Sequence, residues 1–160
     1  MTFIAKLSPR DKQRSRLYKA EKETKAFLRD PLPSIVELQG YVNSILKSRW
    51  LQDHFGSRML APITVRGGRS KGQRDADAHS FMSEISMPKW SRSRFITLHE
   101  VTHIITERYY GQDMTESHGP EFATFLLMLV GHFLGAQDCH DMRDAFIRNC
   151  VAHSYREEEQ

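Results

Sequence analysis

The 160-residue sequence predicts an α+β fold that is mostly helical, with a small β-sheet placed before a central helix. Apolar residues recur at helical spacing in residues 35–46, 95–105 and 122–134. Two short segments, 62–66 and 80–87, are rich in β-branched or other apolar residues and are bounded by glycine or proline, which indicates strands. The length corresponds to about one domain.

We expect one domain over residues 1–160, organised as a basic N-terminal helix (1–33), a core (34–135) and a C-terminal helix with a tail (136–160). No apolar run is long enough to cross a bilayer, and the N-terminus lacks the apolar core of a signal peptide. Cys139 and Cys150 form no CxxC pair and fit two thiols in a reducing compartment. These features predict a cytoplasmic protein without a membrane partner.

The N-terminal part is predicted to form two amphipathic helices. The first starts at Ser8-Pro9, a serine cap followed by proline, and ends at Asp30-Pro31. The second starts at a capping box of Ser34 and Glu37 and ends near residues 50–56. Both helices are interpreted as a packing layer. The polar, glycine-containing segment 67–77 between the two predicted strands is expected to be a turn or loop.

Three helices are predicted in the second half of the chain. Ser91 or Ser93 caps the first, which runs to about Tyr110 before Gly111 ends it. A second starts at Pro120 and ends at Gly135, and a third covers about 138–153.

The first of these helices carries His99-Glu100-Val101-Thr102-His103. Residues four apart share a helix face, so the two histidines can bind one metal ion. Glu100 is then beside the open coordination position, where it can take a proton from a metal-activated water. Burying two imidazoles and a carboxylate in an apolar helix is costly unless a partner such as a metal compensates them.

A zinc site of this type needs a third protein ligand. Seven residues downstream offer the right chemistry: Glu107, Asp113, Glu116, His118, Glu121, His132 and His140. His118 is the best placed, because it lies at a loop-to-helix junction after a connection long enough to reverse the chain. Glu121, one turn further on, is the reserve ligand or a residue that orients one of the histidines.

HEVTH followed by HGPEF, with 14 residues between His103 and His118, resembles the SprT-like zinc metalloproteases, which include the Spartan proteases of DNA–protein crosslink repair. The resemblance implies a zincin-like fold of the minimal gluzincin or SprT-like type. It also implies that His99, His103 and His118 bind Zn²⁺ and that Glu100 is the catalytic base. The resemblance covers about half of the chain.

The opening RDKQRSRLYKAE, residues 10–21, together with both motifs, is similar to a small group of metallohydrolases known from actinobacteria and their phages. The chain lacks the zinc-ribbon cysteines and the partner-binding tail of Spartan-type proteins. A role in DNA repair is therefore not implied.

The sequence thus predicts a zinc-dependent metallohydrolase, in first place a peptidase that acts on a protein or peptide substrate. The strand before the central helix is a candidate edge along which an extended peptide lies. Tyr109, Tyr110 and His132 are candidates for stabilising an oxyanion, although their spacing selects none of them. A hydrolase of non-peptide amides is an alternative.

An alternative of another class is a nucleic-acid-binding module whose metal only stabilises the fold. Residues 1–30 hold nine basic and four acidic residues in a chain of net charge +3. A second basic segment carries the candidate DNA contacts Arg66, Arg69, Lys71 and Arg74. In this interpretation, binding depends strongly on salt and does not require Glu100.

Overall fold

The computed structural model describes residues 9–68, 75–79 and 83–157, and in these ranges the protein is mostly helical with one small sheet. The helices are α1 Arg14–Lys22, α2 Ile35–Lys47, α3 Arg49–Phe55, α4 Arg94–Tyr110, α5 Pro120–Phe133 and α6 Ala136–Arg148. The strands are β1 Thr64–Arg66, β2 Asp77–His79 and β3 Glu84–Ser86. The predicted α+β class, with a sheet before the HEVTH helix, is confirmed.

Helix α4 is the central element, and both of its ends are as predicted. The Ser93 hydroxyl accepts a hydrogen bond from the Ile96 amide at 3.1 Å, and Gly111 ends the helix at a φ of 100°. Most of the helix is buried because α5, α2 and β2 pack around it. Its polar HEVTH residues are therefore held inside the protein.

The sheet has the order β1-β3-β2. Strand β3 pairs with β1 in parallel, with Val65 opposite Ile85, and with β2 in antiparallel, with Ala78 opposite Ile85. Strand β2 is an edge strand that packs on α4. The prediction that residues 67–77 form a turn or loop is wrong at its end, because β2 starts at Asp77. Residues 69–74 of this segment lie outside the described residues. The strand predicted over 80–87 is β3, Glu84–Ser86, and residues 80–82 lie outside the described residues. The expectation that this strand forms an edge of the sheet is wrong, because it lies between β1 and β2.

The first helix is shorter than predicted. It begins after Gln13 rather than at Ser8-Pro9 and ends at Lys22. Tertiary contacts hold the preceding segment out of the helix. The Gln13 side chain forms two hydrogen bonds with the backbone of Ala152, at 2.8 and 3.1 Å, and Asp11 contacts His118.

The helix predicted from Ser34 to about residue 56 is two helices. The capping box of Ser34 and Glu37 is present at the start of α2. The break is at Ser48, whose extended backbone ends α2 and whose hydroxyl caps α3 through the Leu51 amide at 3.2 Å. The last helix covers Ala136–Arg148 rather than about 138–153. It begins directly after Gly135, at a φ of 120°, and it ends before the predicted residue 153.

One hydrophobic cluster extends through the described part of the chain, from Leu17 in α1 to Val151 after α6. Helix α5 packs between α4 and α6, and α1 packs against α6. This arrangement places α1 close to the start of α5. Cys139 and Cys150 are both free thiols. Within the described ranges, every helix is too short or too polar to cross a membrane.

Candidate metal centre

Three histidines from two parts of the chain meet at one place. His99 and His103 lie on successive turns of α4, with their Nε2 atoms 3.2 Å apart. His118 lies in the turn before α5, and one nitrogen from each ring falls within 4.8 Å of the others. Among the described residues, these three histidines form the one cluster of potential ligand side chains that could hold a metal ion. The predicted grouping of His99, His103 and His118 is confirmed.

Two carboxylates orient His99 and His118. Nδ1 of His99 lies 2.5 Å from Oε1 of Glu21, and Nδ1 of His118 lies 2.7 Å from Oδ2 of Asp11. A carboxylate accepts hydrogen bonds, so each Nδ1 carries a proton and the Nε2 lone pair remains for another partner. Metal-binding histidines in proteins generally have such a partner. The three histidines could therefore hold a metal ion.

The surroundings favour neutral rings at two of the three positions. Burial, together with the neighbouring His99, lowers the pKa of His118 to about 4. Burial and the same neighbour lower the pKa of His103 well below 6.5. Burial opposes charge on His99 as well, but the Glu21 carboxylate outweighs it and raises the pKa of this ring. Neutral imidazole is the form that binds a metal.

Phe122 forms the apolar side of the cluster. Its ring is fully buried and stacks on His103 at 4.4 Å between centroids. The same ring contacts His99 at 5.0 Å and His118 at 5.1 Å. One side chain of α5 thus packs against all three imidazoles.

Glu100 is buried beside His99, with 6% of its surface exposed. Its charge acts on two groups at the site: it raises the pKa of His99 and that of Tyr18. A buried carboxylate next to the cluster is where the sequence predicts the catalytic base.

Tyr18 of α1 also reaches the cluster. Its hydroxyl lies 3.2 Å from Nε2 of His118, and its ring packs against His118 at 4.9 Å and His99 at 5.7 Å. Burial raises the pKa of this phenol to about 12. The Arg14 guanidinium, one helical turn away, lies 5.5 Å from the centre of the ring.

Sequence reasoning missed three site residues: Asp11, Tyr18 and Glu21. The interpretation of the first helix as only a packing layer is therefore wrong. The sequence does contain one indication of the role of Glu21. This acid follows Leu17 by four residues, so it lies on the buried face of a basic helix. A lone acid on an apolar stripe indicates a buried partner.

The other predicted candidates lie elsewhere or make different contacts. Glu121 forms no hydrogen bond with the three histidines; it lines a cavity of about 430 Å³ with Lys12, Arg16 and Glu116, among others. The rings of Tyr109 and Tyr110 contact Phe125. His132 stacks on Trp50, with centroids 4.3 Å apart.

The candidate nucleic-acid contacts are only partly described. Arg66 forms an ion pair of 2.8 Å with Glu84 on the neighbouring strand, which offsets its charge. Arg69, Lys71 and Arg74 lie outside the described residues.

Comparisons with protein-family models, with curated proteins and with solved structures found no significant match.

Proposed function

We propose that the protein is a zinc-dependent hydrolase that cleaves peptide bonds, with Glu100 as the general base. The observation that carries the proposal is the grouping of His99, His103 and His118 within 4.8 Å, with Glu100 buried next to the first histidine. Three protein ligands with one open position are typical of catalytic rather than structural zinc sites. A zincin-like fold is part of this proposal.

The donor set supports zinc as the metal. Three imidazole nitrogens suit zinc better than the oxygen-preferring calcium or magnesium ions. When bound, zinc supplies a Lewis acid that polarises a carbonyl group and brings the pKa of a coordinated water near neutrality. The Glu21 and Asp11 carboxylates hold two of the rings in the orientation that this requires.

The protein's own residues then carry the proton. Glu100 accepts a proton from the attacking water as the oxygen adds to the carbonyl carbon. It passes that proton to the amine as the C–N bond breaks, so that a carboxylic acid and an amine leave the site. The burial of Glu100 strengthens its electrostatic contact with both the water and the leaving group.

The sheet supports a peptide as the substrate class. Strand β2 pairs with β3 on one side, is an edge strand of the sheet and packs on α4, which carries the histidines. Among the described residues β2 has no strand partner on its other side, and such an edge, packed on the helix of the site, can pair with the backbone of an extended peptide. A small amide substrate would not use such an edge.

The test compares zinc-loaded parent protein with Glu100→Gln on casein and on a mixed set of quenched fluorescent peptides. The variant is expected to keep its zinc and to lose at least about 100-fold in rate, as is typical for removal of a general base. Glu107→Gln, on the same helix, is the matched control and is expected to behave like the parent. Equal cleavage by the parent and Glu100→Gln contradicts the mechanism. Zinc binding with cleavage only of non-peptide amides contradicts the substrate class.

A further inference from the structure

The Tyr18 hydroxyl lies on the side of His118 that faces the other two histidines. Nδ1 of His118 is hydrogen-bonded to Asp11, and the Tyr18 hydroxyl lies 3.2 Å from the other ring nitrogen, Nε2. In this contact the phenol O–H donates and the ring nitrogen accepts. The hydroxyl is thus directed at the atom that His118 offers to a metal.

That nitrogen has one lone pair, which cannot serve a metal ion and the phenol O–H together. When His118 binds a metal, the Tyr18 hydroxyl has to find another acceptor close to the same position. The acceptor that the proposed reaction supplies there is the carbonyl oxygen of the substrate. This argument rests on the proposed function.

The position of Tyr18 is held on several sides. Its ring is half-buried against His99 and His118. The helix that carries it is fixed by the contact of Glu21 with His99, one turn further along. A donor that is held in place before the reaction stabilises developing charge without reorganisation.

The local charge also suits an anion. The Arg14 guanidinium lies 5.5 Å from the Tyr18 ring and adds positive potential at the hydroxyl end of the site. Of the nearby carboxylates, Glu21 and Asp11 are hydrogen-bonded to His99 and His118, and Glu100 becomes neutral as it accepts the proton of the water. The oxygen of the carbonyl gains its negative charge in the same step.

We propose that Tyr18 is a catalytic residue that donates a hydrogen bond to the carbonyl oxygen of the substrate as this oxygen becomes an anion. The O–H bond of Tyr18 stays intact through addition of the water and collapse to the acid and the amine. The only proton that moves through the protein is the one carried by Glu100.

The test uses Tyr18→Phe, which keeps the ring and its packing and removes the hydroxyl. The matched control is Tyr41→Phe, because the Tyr41 hydroxyl is buried without a hydrogen-bond partner, in α2. With casein or the peptide set, Tyr18→Phe is expected to lower kcat by about 100- to 1,000-fold with little change in KM. Tyr41→Phe is expected to match the parent.

A second readout does not require turnover. Cobalt-substituted protein is titrated with acetohydroxamate, an anionic metal-binding probe, and binding is followed by the visible absorption of Co²⁺. Tyr18→Phe is expected to bind Co²⁺ like the parent and to bind acetohydroxamate roughly tenfold more weakly, since a hydrogen bond to a charged group is lost.

Parent-like kcat and parent-like acetohydroxamate affinity in Tyr18→Phe overturn the proposal. Loss of Co²⁺ from this variant overturns it as well, because Tyr18 then holds the metal instead of the substrate. Failure of this proposal is distinguishable from failure of the proposed function: in the first case Glu100→Gln is inactive while Tyr18→Phe is fully active. In the second case Glu100→Gln itself retains activity.

Discussion

The Glu21 carboxylate contacts Nδ1 of His99 at 2.5 Å, although the two residues are 78 positions apart in the chain. Both side chains are buried, so the pair is shielded from water. The contact joins α1 to the central helix α4 at the first histidine of the HEVTH motif. Helix α1 is therefore part of the site.

Replacing Glu21 with Gln is expected to weaken zinc binding by about 10- to 100-fold, because the carboxylate no longer orients His99 or increases its basicity. The measurement is a competition between the protein and a chromophoric zinc chelator. Glu23→Gln is the control, since Glu23 lies just beyond the same helix and pairs with Arg148 and Asn149 at the surface. Equal zinc affinity of Glu21→Gln and Glu23→Gln would show that the contact with His99 has no role in metal binding.

The stability of the metal-free protein is expected to fall with acid in a window set by His118. Burial and the neighbouring His99 hold the pKa of His118 at about 4, below the 6.5 of an ordinary histidine. Between these values the unfolded chain takes up a proton that the folded protein does not bind. The free energy of unfolding therefore decreases as the pH falls through this window. His103 acts in the same direction, whereas the raised pKa of His99 adds stability that is lost as the pH rises above 6.5.

Urea unfolding of chelator-treated protein at pH 7 and pH 5 measures this effect. The contribution of His118 is on the order of 2 kcal/mol over that interval. His118→Asn keeps a hydrogen-bond donor for Asp11 and removes the titrating ring, so its stability is expected to depend less on pH than that of the parent. An identical pH dependence in both proteins would mean that His118 titrates normally.

Phe122→Ala is expected to reduce both stability and zinc affinity. Phe122 is fully buried and contacts all three histidines, so its removal leaves a cavity and loosens the ligands. A loss of about 3–5 kcal/mol is typical of such a change. Phe146→Ala, in α6, removes an equally buried ring that lies outside the histidine cluster and controls for general destabilisation.

Unfolding in urea and chelator competition separate the two effects. Both variants are expected to lose similar stability, and only Phe122→Ala is expected to lose zinc affinity. Zinc affinity that falls equally in the two proteins would show that metal binding follows global stability and not the position of Phe122.

Much of the metal centre follows from local spacing. His99 and His103 are four residues apart on one helix, and His118 follows a connection that can reverse the chain, so the grouping of the three is predictable. The caps of α4 and the capping box of α2 follow from short-range rules in the same way. In each case the interacting residues lie close together in the sequence or on one helix face.

The residues that sequence reasoning missed depend on distant contacts. Asp11 meets His118 across 107 positions, and no spacing rule relates the two. Strand β2 is only three residues long and includes one small apolar residue, Ala78, which leaves no alternation to detect. The break at Ser48 arises from a cap within an otherwise continuous amphipathic pattern. Tertiary structure determines the first two features, whereas the third is a local cap that the continuous amphipathic pattern conceals.

The most direct test of the metal centre is the zinc content of purified parent, His118→Ala and His140→Ala proteins, measured by elemental analysis beside protein concentration. His140, which is exposed on α6, is the control for the loss of a histidine. About one zinc per chain is expected in the parent and in His140→Ala, with most of it lost in His118→Ala. A parent without zinc, or a His118→Ala protein that keeps its full zinc content, would contradict the three-histidine site.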